Sequence, residues 1–340
     1  MDDIQNRRRL IDGRPVAYED RRVPVSDLVL DPKNPRIQYE IRLKLRDPIS
    51  DEQLDGLMWE RDQVKRLKAA IKQAGGVSEP LFVRQRPDGR LLVLEGNQRT
   101  VAVRHQLRET PDDPRFHTVP AWIFGEDLTS GEIAVLLADL HVAGKDQWRP
   151  YEQAKHIFEL SDTFGKSYDW LATHLRLSKS QVMQKIAAYR AFTDFLNEVG
   201  GEDPSKVTKY SFFEELYKKK LVREPFEGDA EFRRRFKQWI NIGRLTDAKD
   251  VRDLPVILDS VKATEALESG GIDAARRILI QEDPSLGSDL LAAVKGATQK
   301  IKDAPVSEVQ SFKEDPRKIV ILRDLNTAIA NLATLAGVSL

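Results

Sequence analysis

Two short stretches of this chain bring together residue types whose spacing can do chemistry. In the first, Glu95-Gly96-Asn97-Gln98-Arg99-Thr100 follows the apolar run Arg90-Leu91-Leu92-Val93-Leu94 and opens a helical pattern over residues 98–108. A helix that begins directly after a strand aims its unpaired N–H groups and positive dipole end at the sheet edge, where an anion can sit. Gly96 lets the backbone turn sharply and approach a ligand. Asn97 is a competent helix cap and could equally donate to a phosphate. Arg99 and Thr100 add a guanidinium fork and a hydroxyl on one side, with Arg104 a turn beyond, a set that suits phosphate oxygens. An ordinary capped helix with a surface arginine would carry the same local pattern, because a lone Gly-x-x-Arg is weakly specific. Glu95 is the carboxylate that metal-assisted phosphoryl chemistry would use, with Asp139 as a second candidate.

The second stretch runs from Leu171 to Val182 and has the spacing of two helices crossing through a short turn. Leu171 and Leu175 face the core, Ala172 is small at the closest approach, and Leu177 plugs the turn. Ser178 caps the second helix, and Val182 and Ile186 bury its inner face. Ser178, Lys179, Ser180, Gln181, Gln184 and Lys185 are then left to face a duplex, where Gln and Lys read base edges and Ser and Lys meet phosphates. Arg176 stands where a glycine is usual, so a positive φ there costs on the order of 1 kcal/mol. A plain helical pair that binds nothing has the same hydrophobic spacing; the cap, plug and polar face favour DNA.

These stretches need elements to hold them. Residues 1–21, with Arg7, Arg8 and Arg9 in a row, read as a basic flexible arm, either solvated or lying on phosphates. Val23–Leu30 reads as a first strand, closed by the loop Asp31–Arg36. Val64, Leu67 and Ile71 recur at helical spacing, and Gly75-Gly76 stops that helix. Residues 80–84 and 90–94 form a hairpin around Pro87-Asp88-Gly89, and residues 119–124 form a last strand. Helical patterns follow over residues 132–140, 151–160, 168–175 and 179–192, with a linker at residues 200–204. Between Lys206 and Arg244 basic residues outnumber acidic ones and aromatics are interleaved, which suits either a small core with a solvated face or a phosphate-tracking surface. The organisation expected is an arm over 1–21, an α+β domain over 22–130 and an all-α helix–turn–helix region over 131–200. A basic aromatic helical region over 205–260 and a helical C-terminal module over 261–340, a candidate for dimerisation, complete it.

Composition narrows the functions. The 340 residues carry 54 Lys plus Arg and 54 Asp plus Glu, so a net charge of zero excludes a polycation that coats nucleic acid by bulk charge. With no cysteine there is no disulfide, thiolate zinc site or cysteine nucleophile. No apolar run approaches the ~18 residues of a membrane helix, and the chain reads as cytoplasmic, with no membrane partner.

The order of strand, Asn34-Pro35-Arg36 loop, helix, hairpin, Gly96-Asn97-Gln98-Arg99-Thr100-Val101-Ala102 helix, strand and then helix–turn–helix resembles the ParB family of chromosome and plasmid partition proteins. The family's N-terminal domain shares its fold with sulfiredoxin, and the resemblance spans roughly residues 22–195. It implies an α+β ParB/sulfiredoxin-like N-terminal domain, followed by an all-α helix–turn–helix region and a helical C-terminal region. Asn34, Arg36, Gly96, Asn97, Gln98, Arg99 and Thr100, together with Arg104, His141 and Lys145, would then lie at CTP or another nucleoside triphosphate, with or without Mg2+. Arg176, Ser178, Lys179, Ser180, Gln181, Gln184 and Lys185 would meet double-stranded DNA, in a homodimer associated with nucleoid or plasmid. The chain departs from the family where Asn97-Gln98 replaces Glu-Arg, and where Asp139–Lys145 replaces Glu-Asn-x-x-Arg; His141 and Lys145 there suit either a nucleotide or an exposed helix end. A nuclease or phosphotransferase on the same fold, and a DNA-only adaptor without nucleotide, are the other two readings.

Overall fold

The computed structural model describes residues 5–34, 37–45, 48–144, 148–199, 204–312 and 315–338. The chain divides into two units, Met1–Pro255 and Val256–Leu340. The first is α+β. Its strands are β1 (Gln5–Ile11), β2 (Arg14–Pro24), β3 (Leu28–Leu30), β4 (Leu81–Gln85), β5 (Leu91–Glu95) and β6 (Thr118–Phe124). They form one six-stranded sheet in the order β1-β2-β6-β4-β5-β3. The pairs β1·β2, β2·β6 and β4·β5 are antiparallel, whereas β4·β6 and β3·β5 are parallel.

Side chains alternate across a strand, and here both faces are apolar. Leu81, Val83, Leu91, Val93, Val119, Ala121 and Ile123 point into a core shared with α1 (Gln38–Lys44), α2 (Asp51–Trp59), α3 (Asp62–Ala74) and α4 (Asn97–Glu109). On the opposite face, Phe82, Leu94 and Phe124 belong to a buried cluster with residues of α5 (Ser130–His141), α6 (Pro150–Asp162), α7 (Tyr168–His174) and α8 (Lys179–Glu198). Leu171 and Leu175 of α7 and Val182 and Ile186 of α8 belong to this second core. One buried cluster thus runs across residue 130, with α5 against the sheet, α6 against α5, and α7 and α8 against α6.

Two further expectations are corrected. Residues 5–20, read as a mobile arm, lie mostly in a hairpin. Asp12 (φ 51°) and Gly13 (φ 81°) form a two-residue turn with both φ values positive, the geometry that matches strand twist. Val23–Leu30 is not one strand; β2 ends at Pro24, a single helical turn intervenes, and β3 begins at Leu28. The aromatics of the basic region, including Tyr210, Phe213, Phe226, Phe236 and Trp239, are buried between α8, α9 (Tyr210–Lys218), α10 (Lys220–Gly228) and α11 (Ala230–Asn241). Several cations there are committed: Lys218 to Glu215, Arg234 to Glu231, Lys237 to Glu198, and Arg233 to the Phe226 and Glu227 carbonyls. The aromatics form the small core, and Lys219 and Lys220 remain exposed on its surface. The expected linker at residues 200–204 lies almost wholly outside the described residues.

The boundary between the units falls within α12 (Leu254–Asp259). In the second unit α13 (Val261–Gly270) and α14 (Ile272–Glu282) pack through Ala263, Leu267, Ala275 and Leu279. The helices α15 (Asp289–Lys302), α16 (Val306–Ser311) and α17 (Pro316–Leu335) bury no described residue, and Leu290, Ile301, Ile321, Leu322 and Ile329 are exposed. Among the described residues, no helix is long and apolar enough to cross a membrane.

Candidate nucleotide cleft and candidate nucleic-acid interface

The turn from β5 into α4 requires glycine. Gly96 has φ +103°, and a Cβ there would lie 2.3 Å from Cδ2 of the fully buried Leu81. Gly96, not Asn97, is the cap residue of α4. The first N–H groups of α4 have no partner within the helix, and the bend that presents them opens on a cleft of about 410 Å³. Glu95, Gly96, Asn97, Gln98, Arg99, Asn34 and His141, all expected at a nucleotide or beside it, line this cleft.

Their side chains do different things. The Asn97 amide is spent on the backbone: Oδ1 accepts from the Asp31 N–H at 3.0 Å and Nδ2 donates to the Val93 carbonyl at 2.9 Å. It fastens the Asp31–Asn34 loop to β5, and the role of cap or phosphate donor is corrected to that of a brace. Burial pushes the Asp31 carboxyl above its usual range, against the Lys33 N–H that it accepts. Thr100 is fully buried and donates to the Gly96 carbonyl, so its hydroxyl does not face the cleft. Arg104 is on the far side of α4. It pairs with Asp51 at 2.8 Å and donates to the Leu28 carbonyl at 2.7 Å, locking α4 to α2 and β3. Arg36 and Lys145 lie outside the described residues.

Arg99 reaches the cleft with part of its valence committed. Nη1 donates to the Glu79 carbonyl at 2.9 Å and Nη2 lies 3.4 Å from Glu95 Oε1. Glu95 also holds His141 Nε2, through Oε2 at 2.7 Å. His141 is not an exposed helix end: it is 2% exposed and stacks on Trp148, ring centroids 4.7 Å apart. Trp148 in turn meets the edge of His156, whose Nε2 contacts the Ala134 carbonyl at 2.8 Å. Desolvation pushes the His156 pKa down, which favours the neutral ring in that contact.

Arg61, Gln63, Glu79, Trp148, Arg149 and Glu152 also line the cleft, and none was foreseen. Arg149 and Pro150 start α6, so the N-termini of two helices, α4 and α6, border one concavity. Proline in the first helical turn after Arg149 was the available signal. Among the described residues no group of three His, Asp or Glu is placed to hold a metal ion.

In the helix pair, the turn takes the expected form. Arg176 has φ +56°, and the Leu177 N–H bonds the Ala172 carbonyl at 2.9 Å. Ser178 accepts from the Gln181 N–H, and Gln181 Oε1 accepts the Ser178 N–H at 2.7 Å, a reciprocal box that starts α8. Ser178 and Gln181 are thus first of all helix-starting residues, although both are exposed with Arg176, Lys179 and Ser180. Lys179 is held only by an exposed ion pair to Asp169, 3.0 Å, which a phosphate can replace at little cost. Gln184 is half-buried and its Nε2 lies 3.4 Å from Ser180 Oγ. Lys185 turns away from this face, its side chain 17% exposed and 3.5 Å from Glu214 of α9. Met183, 50% exposed on α8, was not anticipated.

No family model matches the chain, and no curated protein matches it in sequence. This chain is similar to two solved structures of a C-terminally truncated chromosome-partitioning protein, ParB from Caulobacter crescentus. The one complexed to the centromeric parS site is 18% identical, covering 69% of this chain and 98% of that one, with a TM-score of 0.36. The one complexed with CTP-gamma-S is 17% identical, covering 61% of this chain and 97% of that one, with a TM-score of 0.23.

Proposed function

We propose that this protein is a ParB-like DNA-binding protein regulated by a nucleoside triphosphate, CTP by sequence resemblance, acting in partition or in plasmid or mobile-element regulation. The observation that carries the reading is that the cleft and the helix pair rest on one core. Leu94, beside the Gly96 bend, is buried with Leu171, Leu175, Val182 and Ile186 of α7 and α8. A ligand that moves the bend would reach the DNA-facing helices through α5 and α6, which lie between them, and would shift that equilibrium by its differential affinity for the two arrangements. The cleft is of the volume that small ligands occupy. Backbone N–H groups at the starts of α4 and α6 with Arg99, Arg149 and Arg61 supply the donors for phosphates. Mg2+ would supply further charge neutralisation where acids and phosphates meet. The duplex would be met by Arg176, Lys179, Ser180 and Gln181. The exposed apolar faces of α15 and α17 suit a second copy of the chain, which makes a homodimer through the C-terminal unit the expected assembly.

The DNA-only adaptor is favoured by one specific observation: Asn97, Thr100 and Arg104, three of the residues expected at phosphates, are spent inside the fold. Calorimetric titration of the full chain with CTP, ATP, GTP and UTP, with and without duplex DNA, separates the two. Saturable binding of at least one triphosphate is expected, with CTP first; heat from none of the four would leave the adaptor.

A further inference from the structure

The acids of the cleft match its cations. Arg61, Arg99 and Arg149 face it with Glu79, Glu95 and Glu152, an unusual balance for a place that must attract a polyanion. Glu95 holds the central position. It ends β5 opposite Phe82, across an irregularity in the register between Phe82 and Val83. Such a bulge re-aims a side chain next to a site. The carboxylate thereby spans two helices: Oε1 lies 3.4 Å from Arg99 Nη2 on α4, and Oε2 lies 2.7 Å from His141 Nε2 on α5. Arg99 is folded back over the bend, its Nε and Nη2 each 3.4 Å from where a Cβ of Gly96 would stand. Its other terminal nitrogen is fixed on the Glu79 and Pro80 carbonyls, so Nη2 and Nε are what it has left to offer a ligand.

We infer that Glu95 is the specificity-determining residue of this cleft, a built-in competitor that stands against Arg99 Nη2 until a polyphosphate displaces it. The inference rests on the nucleotide reading above and adds which phosphate chain is admitted. One guanidinium edge cannot serve two anions at once, so a ligand must outbid a carboxylate that the fold already holds in place. A triphosphate, with high charge density and several oxygens for the α4 and α6 N–H groups, does so. A monophosphate has too little charge to repel Glu95 and replace its contacts. Displacement also releases His141 from Glu95, at the end of α5 where the chain turns toward α6.

The test uses the full chain with CTP, CMP and inorganic triphosphate as probes, in calorimetric titrations with and without Mg2+. Glu95→Gln keeps the shape and removes the charge, and Glu79→Gln is the control, since Glu79 is 78% exposed and 3.7 Å from Arg99. Glu95→Gln is expected to bind CTP and inorganic triphosphate about tenfold more tightly and to make CMP binding measurable, whereas Glu79→Gln changes affinity by about twofold or less, as expected of an exposed pair. Circular dichroism melting of each variant confirms that the titrated chain is folded. Affinity that is unchanged or weaker in Glu95→Gln, while the wild type binds, overturns the competitor role alone. A loss that appears only with Mg2+ also overturns it, by making Glu95 a partner of the cation. Equal gains in both variants reduce the effect to net charge and likewise overturn it. If neither the wild type nor Glu95→Gln binds any probe, the nucleotide reading falls and this inference falls with it.

Discussion

The helices α4 and α8 both begin with a glycine or serine cap and a run of polar residues, yet they use that run in opposite ways. In α4 the polar side chains turn inward: Asn97 braces a loop, Thr100 bonds back to Gly96, and Arg104 clamps Asp51. In α8 Lys179, Ser180 and Gln181 stay at the surface, and the inward positions are Val182 and Ile186. The difference comes from what surrounds each helix. One side of α4 is covered by α2, α3 and β3, so Asn97, Thr100 and Arg104 find partners within the protein, while Gln98 and Arg99 border the cleft. The first turns of α8 project beyond the core, where water satisfies their polar atoms. A polar residue at a helix start is therefore a candidate ligand only when its own side chain, and not merely the helix end, faces the open side.

The comparison predicts a ladder of effects. Arg104→Ala should cost about 3 kcal/mol in urea unfolding, since it removes the cation from the half-buried Asp51 and the donor from the Leu28 carbonyl; a loss in ligand affinity at unchanged stability would return Arg104 to the binding set. A second inward acid, Glu132, is held down to about 2 from its ordinary 4.5, chiefly by the Arg14 guanidinium from the hairpin and then by the Thr129 N–H and hydroxyl, against the cost of desolvation. Because its folded value is depressed, its contribution is fully present above pH 4.5 and is lost as pH falls toward 2. Melting temperature across that window should fall less steeply for Glu132→Gln than for the wild type; parallel curves would remove Glu132 from the bracing set. The smallest effect concerns stability least. Lys179→Ala should weaken duplex binding in fluorescence anisotropy and lower the salt slope by about one counter-ion, whereas Lys185→Ala should change neither. Equal losses from both would mean that Lys185 leaves Glu214 when DNA arrives.

Local features were legible in the sequence. The α3 stop at Gly75-Gly76, the β4–β5 hairpin, the β5–α4 bend and the α7–α8 turn with its strained Arg176 all follow from short-range rules, and the structure has them. The β1–β2 hairpin had an equally local signal in Asp12-Gly13, but the charge of Arg7, Arg8 and Arg9 masked it. The partners of the hairpin's arginines lie across the turn or far along the chain, as with Arg7 on Asp20 and Arg14 on Glu132. The cleft was half legible for the same reason. Residues 95–99 announce it, but Glu79 joins it from the segment before β4, and Arg149 and Glu152 from the start of α6. No local pattern says which partner a distant arginine will find.

Because α5 lies over the sheet's second face and carries α6, α7 and α8 behind it, severing the chain near residue 130 would yield two pieces that each display a greasy flank. Expressed apart, such fragments should clump in the test tube, and should become soluble when mixed. Any engineer wishing to borrow the helix pair as a portable module would have to carry the whole scaffold along with it.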